Sequence, residues 1–109
     1  MVSSNAIPLP KLDVHGASVR GTRLDRANLT DADLTRANAA NASFRGADFS
    51  GAKLTGTVLR GADLTGAINL TEAQLAEALL DENTLLPDDI GRDRLRRLGA
   101  DVAAARGGF

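Results

Sequence analysis

Between Leu12 and Gly66 the chain repeats one pattern of apolar and polar positions every five residues, through 11 blocks with no insertion. The third residue of each block is apolar: Val14, Val19, Leu24, Leu29, Leu34, Ala39, Phe44, Phe49, Leu54, Leu59 and Leu64. The first residue is Ala or Thr in ten of the 11 blocks, Leu12 being the exception, so a position of fixed small volume is kept. The second is polar in ten of 11, with Val58 the exception. Every Gly of this stretch, from Gly16 to Gly66, falls at the fifth place.

A period of five suits neither regular element. On a helix, residues five apart are about 140° out of register, which would smear the apolar positions around the surface. On a flat strand they would point to opposite faces. The pattern fits a chain that turns a corner every five residues and keeps one side inward throughout. Gly at the fifth place fits such a corner, and Asp31 and Asn41 tolerate the same geometry. Arg26 and Arg36 do not favour it, which argues that positive φ is not required at every corner.

The triplets Ala27-Asn28-Leu29, Ala32-Asp33-Leu34, Ala47-Asp48-Phe49 and Ala62-Asp63-Leu64 resemble the Ala-(Asp/Asn)-Leu-x-x motif of the pentapeptide-repeat proteins, over 55 of 109 residues. The resemblance implies an all-β solenoid, a right-handed quadrilateral β-helix with four blocks per turn, here about three coils long. The period alone does not choose four sides over three. With four sides, residues 20 apart stack at about 4.8 Å, giving interior columns Val14/Leu34/Leu54, Val19/Ala39/Leu59, Leu24/Phe44/Leu64 and Leu29/Phe49/Asn69. Ala39 is the small member of its turn, and Phe44 and Phe49 are placed to fill the space it leaves. On the outside, Asp25 falls over Arg45, and Asp13 falls over Asp33 in a mildly unfavourable contact.

The two ends depart from the pattern. Ile7-Pro8-Leu9-Pro10 reads as an extended lid that refuses further strand pairing, so residues 1–11 form an N-terminal extended cap and residues 12–71 the β-helix. Residues 72–109 read as a C-terminal α-helical cap and tail. Thr71-Glu72-Ala73-Gln74 is a capping box opening a helix through about Leu80, and Asp81-Glu82-Asn83-Thr84 is a polar break. After Pro87 a second helix runs from Asp88 to about Leu98 and stops at Gly99, supported by Asp88–Arg92 and Asp93–Arg97 pairs. Ile90, Leu95 and Leu98 share much of one face of it, either packing on the last coil or forming a homodimer contact. The initiating Met and the two lids read as a complete unit.

Composition narrows the chemistry. Net charge is −1 and aromatic residues are 3% of the chain, so no global field favours nucleic acid or an anionic membrane. Without Cys there is no disulfide and no thiolate site. No apolar run approaches the roughly 20 residues of a membrane span, and the N-terminus lacks the pattern of a secretion signal, so a cytoplasmic location is expected.

His15, the only histidine, reads as a solvated surface residue, since with Asp13 alone it cannot close a metal site. The repeated Asp13, Asp33, Asp48 and Asp63 read as acceptors for local backbone rather than acid–base groups. The Arg92, Arg94, Arg96 and Arg97 cluster is interleaved with acids and has no aromatic residue beside it, so it reads as a solvated face, not a nucleic-acid patch.

No catalytic, cofactor or metal constellation emerges, and no small-molecule substrate is implied. The expectation is a non-enzymatic structural or protein-interaction module with an unknown protein partner. The resemblance implies one alternative, since some family members mimic DNA and bind topoisomerases such as gyrase. That needs a long acidic rod, whereas residues 12–66 carry Asp13, Asp25, Asp31, Asp33, Asp48 and Asp63 against Arg20, Arg23, Arg26, Arg36, Arg45, Lys53 and Arg60, a balance of +1.

Overall fold

The structure, a computed structural model, describes residues 11–91. The N-terminal lid, the arginine cluster and the part beyond Gly91 of the helix expected over Asp88–Leu98 lie outside them; the expected start of that helix, Asp88–Ile90, is a turn and not helix. What the described residues form is set by hydrogen bonding between second-position residues. Asp13 pairs with Asp33 and Asp33 with Lys53, and likewise Ser18–Asn38–Val58, Arg23–Ser43–Asp63 and Asn28–Asp48–Ile68, all as parallel bridges 20 residues apart. Four five-residue blocks therefore make one turn, and the coil has four sides. Each bridge consists of two bonds: between Asp13 and Asp33, Asp33 N–H donates to Leu12 O at 2.8 Å and Val14 N–H donates to Asp33 O at 2.9 Å. Contacts this short leave only an isolated bridge per side, because the chain turns before a longer strand can form.

The corner is a tight turn. The first residue of each block donates its N–H to the central carbonyl of the block before, as in Ala32 to Leu29 at 2.9 Å and Ala52 to Phe49 at 2.9 Å. The third residue of that turn is the fifth of the block, and it has positive φ at every corner from Gly16 to Gly66. This is the requirement of a type II turn. Arg26 (φ 61°) and Arg36 (φ 58°) obey it as the glycines do, which corrects the expectation that arginine corners would escape. The rung bonds decide the matter: Arg36 N–H must reach Thr55 O, 2.8 Å away on the next coil. A left-handed conformation costs an L-residue roughly 1–2 kcal/mol, comparable to about one buried hydrogen bond.

Inward residues fill the square. Leu34 is 1% exposed, and Ala32, Ala39, Phe44, Phe49, Leu59 and Leu64 are fully buried. The Phe44 and Phe49 rings meet at 5.5 Å between centroids, in the same coil as Ala39. Val14, Val19 and Leu24 of the first coil are only partly buried against this core. The fourth column does not end in Asn69. Asn69 is exposed with φ 58° and its amide donates to Asp48 Oδ1 at 3.0 Å, while Leu70 is buried instead. A polar amide finds its partner outside, and the chain shifts by one residue to bring an apolar side chain in.

The capping box forms as the sequence predicts: Thr71 Oγ1 accepts from Gln74 N–H and the Gln74 side chain accepts from Thr71 N–H. The helix it opens, α1, spans only Glu72–Ala76, not a run to Leu80. It ends because the chain returns to the ladder. Leu79 pairs with Val58 and Leu85 with Asp63, at separations of 21 and 22 residues. Ala78-Leu79-Leu80 and Thr84-Leu85-Leu86 thus occupy the first, second and third places of two further sides, one and two residues out of step with the five-residue count. Thr84 makes the comparison close: its hydroxyl donates to Leu59 O at 2.8 Å, as the hydroxyl of Thr57 donates to Leu34 O at 2.6 Å. Both threonines are fully buried. The predicted polar break is therefore a corner ending in a buried core position, and the coil continues beyond Thr71.

Candidate functional site

Outward side chains occupy the second, fourth and fifth places, and local bonds hold the second-place residues in a common pose. The Oδ1 of Asp13, Asn28, Asp33, Asn38, Asp48 and Asp63 each accepts the N–H two residues on, at 3.0–3.2 Å. This is the acceptor role that the sequence suggested for these Asp residues, and, after bonds from side chains, it lowers their carboxyl pKa values. A hydrogen bond from Asn69, then one from Ser50, holds the Asp48 carboxyl below the ordinary carboxylate range. Burial pushes Asp63 up, but bonds from Thr65 and Arg45 outweigh it and leave it lowered. Asp25 is lowered by the Ser43 hydroxyl and by Arg45 N–H.

Charge is distributed by face. The blocks 27–31, 47–51 and 67–71 share one side and contain no Lys or Arg; Asp31 and Asp48 are its ionised groups. The opposite side, blocks 17–21, 37–41 and 57–61, carries Arg20 and Arg60; its carboxylate comes only with the next rung, where Asp81 accepts from Gly61 N–H at 3.0 Å. The two remaining sides mix signs. On one of them Arg45 Nη1 lies 3.0 Å from Asp63 Oδ2 and Arg23 Nε 4.0 Å from Asp25 Oδ2. Arg45 was expected over Asp25; it meets that carboxylate through its backbone N–H, at 3.0 Å, and turns its guanidinium to Asp63. Cations thus interrupt the carboxylates on these two sides, and no continuous acidic stripe runs over the described residues.

The remaining side brings together a group that the linear sequence separates. His15 Nδ1 lies 2.5 Å from Asp13 Oδ1, and the register lays Asp13 on Asp33. One ligand atom from each of the three residues lies within 4.8 Å of the others. Hydrogen bonding to Asp13 raises the pKa of His15. A depression of about 390 Å³ adjoins the cluster, lined by Lys11, Leu12, Asp13, Asp31, Asp33, Gly51 and Lys53. The sequence places Asp13 beside His15 and, through the 20-residue register, Asp13 over Asp33; it does not show that one ligand atom of each converges, which depends on side-chain conformation. A second open depression, of about 490 Å³, lies over the Arg26–Gly46–Gly66 corner and is lined also by Asp25, Arg45 and Thr65. Of the candidate interface residues, Ile90 is 6% exposed and belongs to the core; Leu95 and Leu98 lie outside the described residues. Among the described residues no helix is long and apolar enough to cross a membrane.

Four-residue corners, five-residue sides and a 20-residue rung together define a quadrilateral β-helix, a repeat scaffold whose surface is built from outward side chains. The family model for pentapeptide repeats (8 copies) matches residues 13–51 and 42–81. The chain belongs to the pentapeptide-repeat family. Among solved structures it is similar to the pentapeptide repeat protein Rfr23 from the cyanobacterium Cyanothece 51142, with 36% identity and a TM-score of 0.65 over 72% of this chain and 52% of that one. It also matches a pentapeptide repeat protein of the Arabidopsis thaliana thylakoid lumen, with 30% identity and a TM-score of 0.42 over 74% of this chain and 56% of that one. The chain thus spans about half the length of these structures. Membership of the family and the likeness to the Rfr23 structure imply the right-handed sense of the coil. No curated protein matches the chain in sequence.

Proposed function

We propose that the chain is a non-enzymatic interaction module: about three coils of right-handed β-helix, with α1 covering one side before the last two rungs, that present flat side-chain arrays to a protein partner. The observation that supports this reading most directly is the fixed pose of the outward second-place residues, six of which are tied to their own backbone. A surface ordered before contact loses little side-chain entropy on binding. The cation-free side with Asn28 and Asp48 offers such an array to a partner surface bearing lysine or arginine.

α1 fits the covering of that one side, since the Gln74 amide donates to both Phe49 O and Ala52 O at 2.9 Å. It thereby occupies the Ala52 carbonyl, which would otherwise wait for another rung, and adds a second donor to the Phe49 carbonyl already used in the corner.

A photoreactive side chain placed at position 28, with a matched one at position 18 on the opposite side, tests the reading in cells expressing the full chain. A discrete adduct from position 28 that Asp48→Lys abolishes is expected. Equal, diffuse labelling from both positions would defeat the proposal of a face-specific partner.

A further inference from the structure

We propose that Asp13, His15 and Asp33 form an open binding site for a divalent transition-metal ion of the zinc type, on the side of the coil opened by the first two rungs. The argument begins with the register. Of the outward columns in the described repeat, 13/33 is the one that stacks two like charges directly; every other column alternates charge with a neutral or opposite residue. Like charges directly opposite one another destabilise a ladder unless a cation joins them.

The partners of the two carboxylates leave room for such a cation. Asp33 is bonded by the side chain and N–H of Thr35, its Oδ1 accepting the latter, with Lys53 acting on it electrostatically, and Asp13 Oδ1 is shared between the N–H and the imidazole of His15. His15 is the chain's single imidazole, and it stands in the fourth place beside this pair. The donor set is therefore mixed, one nitrogen and two carboxylate oxygens, which suits zinc and its neighbours and not the all-oxygen shells preferred by magnesium or calcium.

The geometry is open. Ligand atoms within 4.8 Å of one another close onto a metal by rotation about exposed side-chain bonds, since the His15 and Asp13 side chains are 67% and 58% exposed. Metal binding replaces the His15–Asp13 hydrogen bond, separates the two ligand atoms and draws Asp33 in across the rung. Water completes the shell from the solvent side, as in sites with three protein ligands. Lys53, next in the same column, opposes the ion, so the site is weak by the standard of closed structural zinc sites.

Titration of the untagged full chain with zinc chloride, followed by calorimetry and by the His15 imidazole resonances, tests the proposal. One equivalent is expected to bind and to shift those resonances. His15→Ala and Asp33→Asn should each weaken binding at least tenfold, Lys53→Gln should tighten it several-fold, and Asp48→Asn should leave it unchanged. Magnesium in equal amount should not compete. Circular dichroism of each variant confirms that the coil is retained. Absence of saturable zinc binding up to millimolar metal, or equal affinity in His15→Ala, Asp33→Asn and the unaltered chain, would overturn the site.

Discussion

The regular coils between Leu12 and Gly66 and the irregular stretch from Ala67 to Ile90 do the same structural work with different sequences. In the first, every fifth residue turns a corner and every third of five fills the core. In the second, a five-residue helix, a one-residue and a two-residue excess interrupt the count, yet Leu79 and Leu85 still pair on rungs and Leu75, Ala78, Leu80 and Thr84 are still buried. The difference teaches that the rung and the inward residue define this architecture. The five-residue period is the simplest way to satisfy both, and extra residues are absorbed at corners, where side chains already face solvent.

The comparison breaks most readily in the core. Leu54→Ala in the regular part and Leu80→Ala in the irregular part should each cost about 2–5 kcal/mol, read from urea unfolding. If Leu80→Ala proved neutral, the last rung would be an appendage and not part of the coil. At the corners, Gly51→Ala should cost about 1–2 kcal/mol, because φ is +70° and the new methyl meets the Asp31 side chain on the rung below. Arg36→Gly should do the reverse and stabilise by roughly 0.5–1 kcal/mol; a loss would show that the Arg36 side chain, which lies against Gly56, contributes more than its backbone costs. Thr57→Val and Thr84→Val remove equivalent buried hydroxyls and should each cost about 1 kcal/mol. Unequal costs would separate the two regions where the hydrogen bonds make them alike.

The smallest effect is acid sensitivity. Asp25, Asp48 and Asp63 all have folded-state pKa values below those of the unfolded chain. In acid the unfolded chain therefore binds more protons, so their contribution is full above the ordinary carboxylate range and is lost as pH falls through the lowered values. Asp48→Asn should make the acid limb of a stability–pH curve shallower, and an unchanged limb would remove Asp48 from that account.

Sequence alone yielded the inward columns, the corners and the capping box, because each is a local or strictly periodic signal. It failed where long-range bonding overrides local preference. Arg26 and Arg36 prefer negative φ, but the rung compels them otherwise. The Leu75–Leu80 stretch has helical composition, but Ala78 and Leu80 alternate inward around an outward Leu79. The cue that was available there is the Ala-x-Leu and Thr-x-Leu pairing of 78/80 and 84/86, hidden by a search at fixed spacing. Asn69 sat on an interior column by arithmetic, and the register slipped to Leu70. Of the Asp13–His15–Asp33 cluster both pairings were legible, Asp13 with His15 and Asp13 over Asp33, but the convergence of the three donors depends on side-chain conformation that the pattern does not carry.

The 20-residue rung has a further consequence for how such a chain can change length. Duplicating a single pentad would rotate everything downstream by a quarter turn, carrying the cation-free side onto a neighbour and severing Asp33 from Asp13 if placed between them. Duplicating four pentads would add one storey and leave every orientation intact. Growth by whole storeys keeps a surface; growth by single pentads makes a new one.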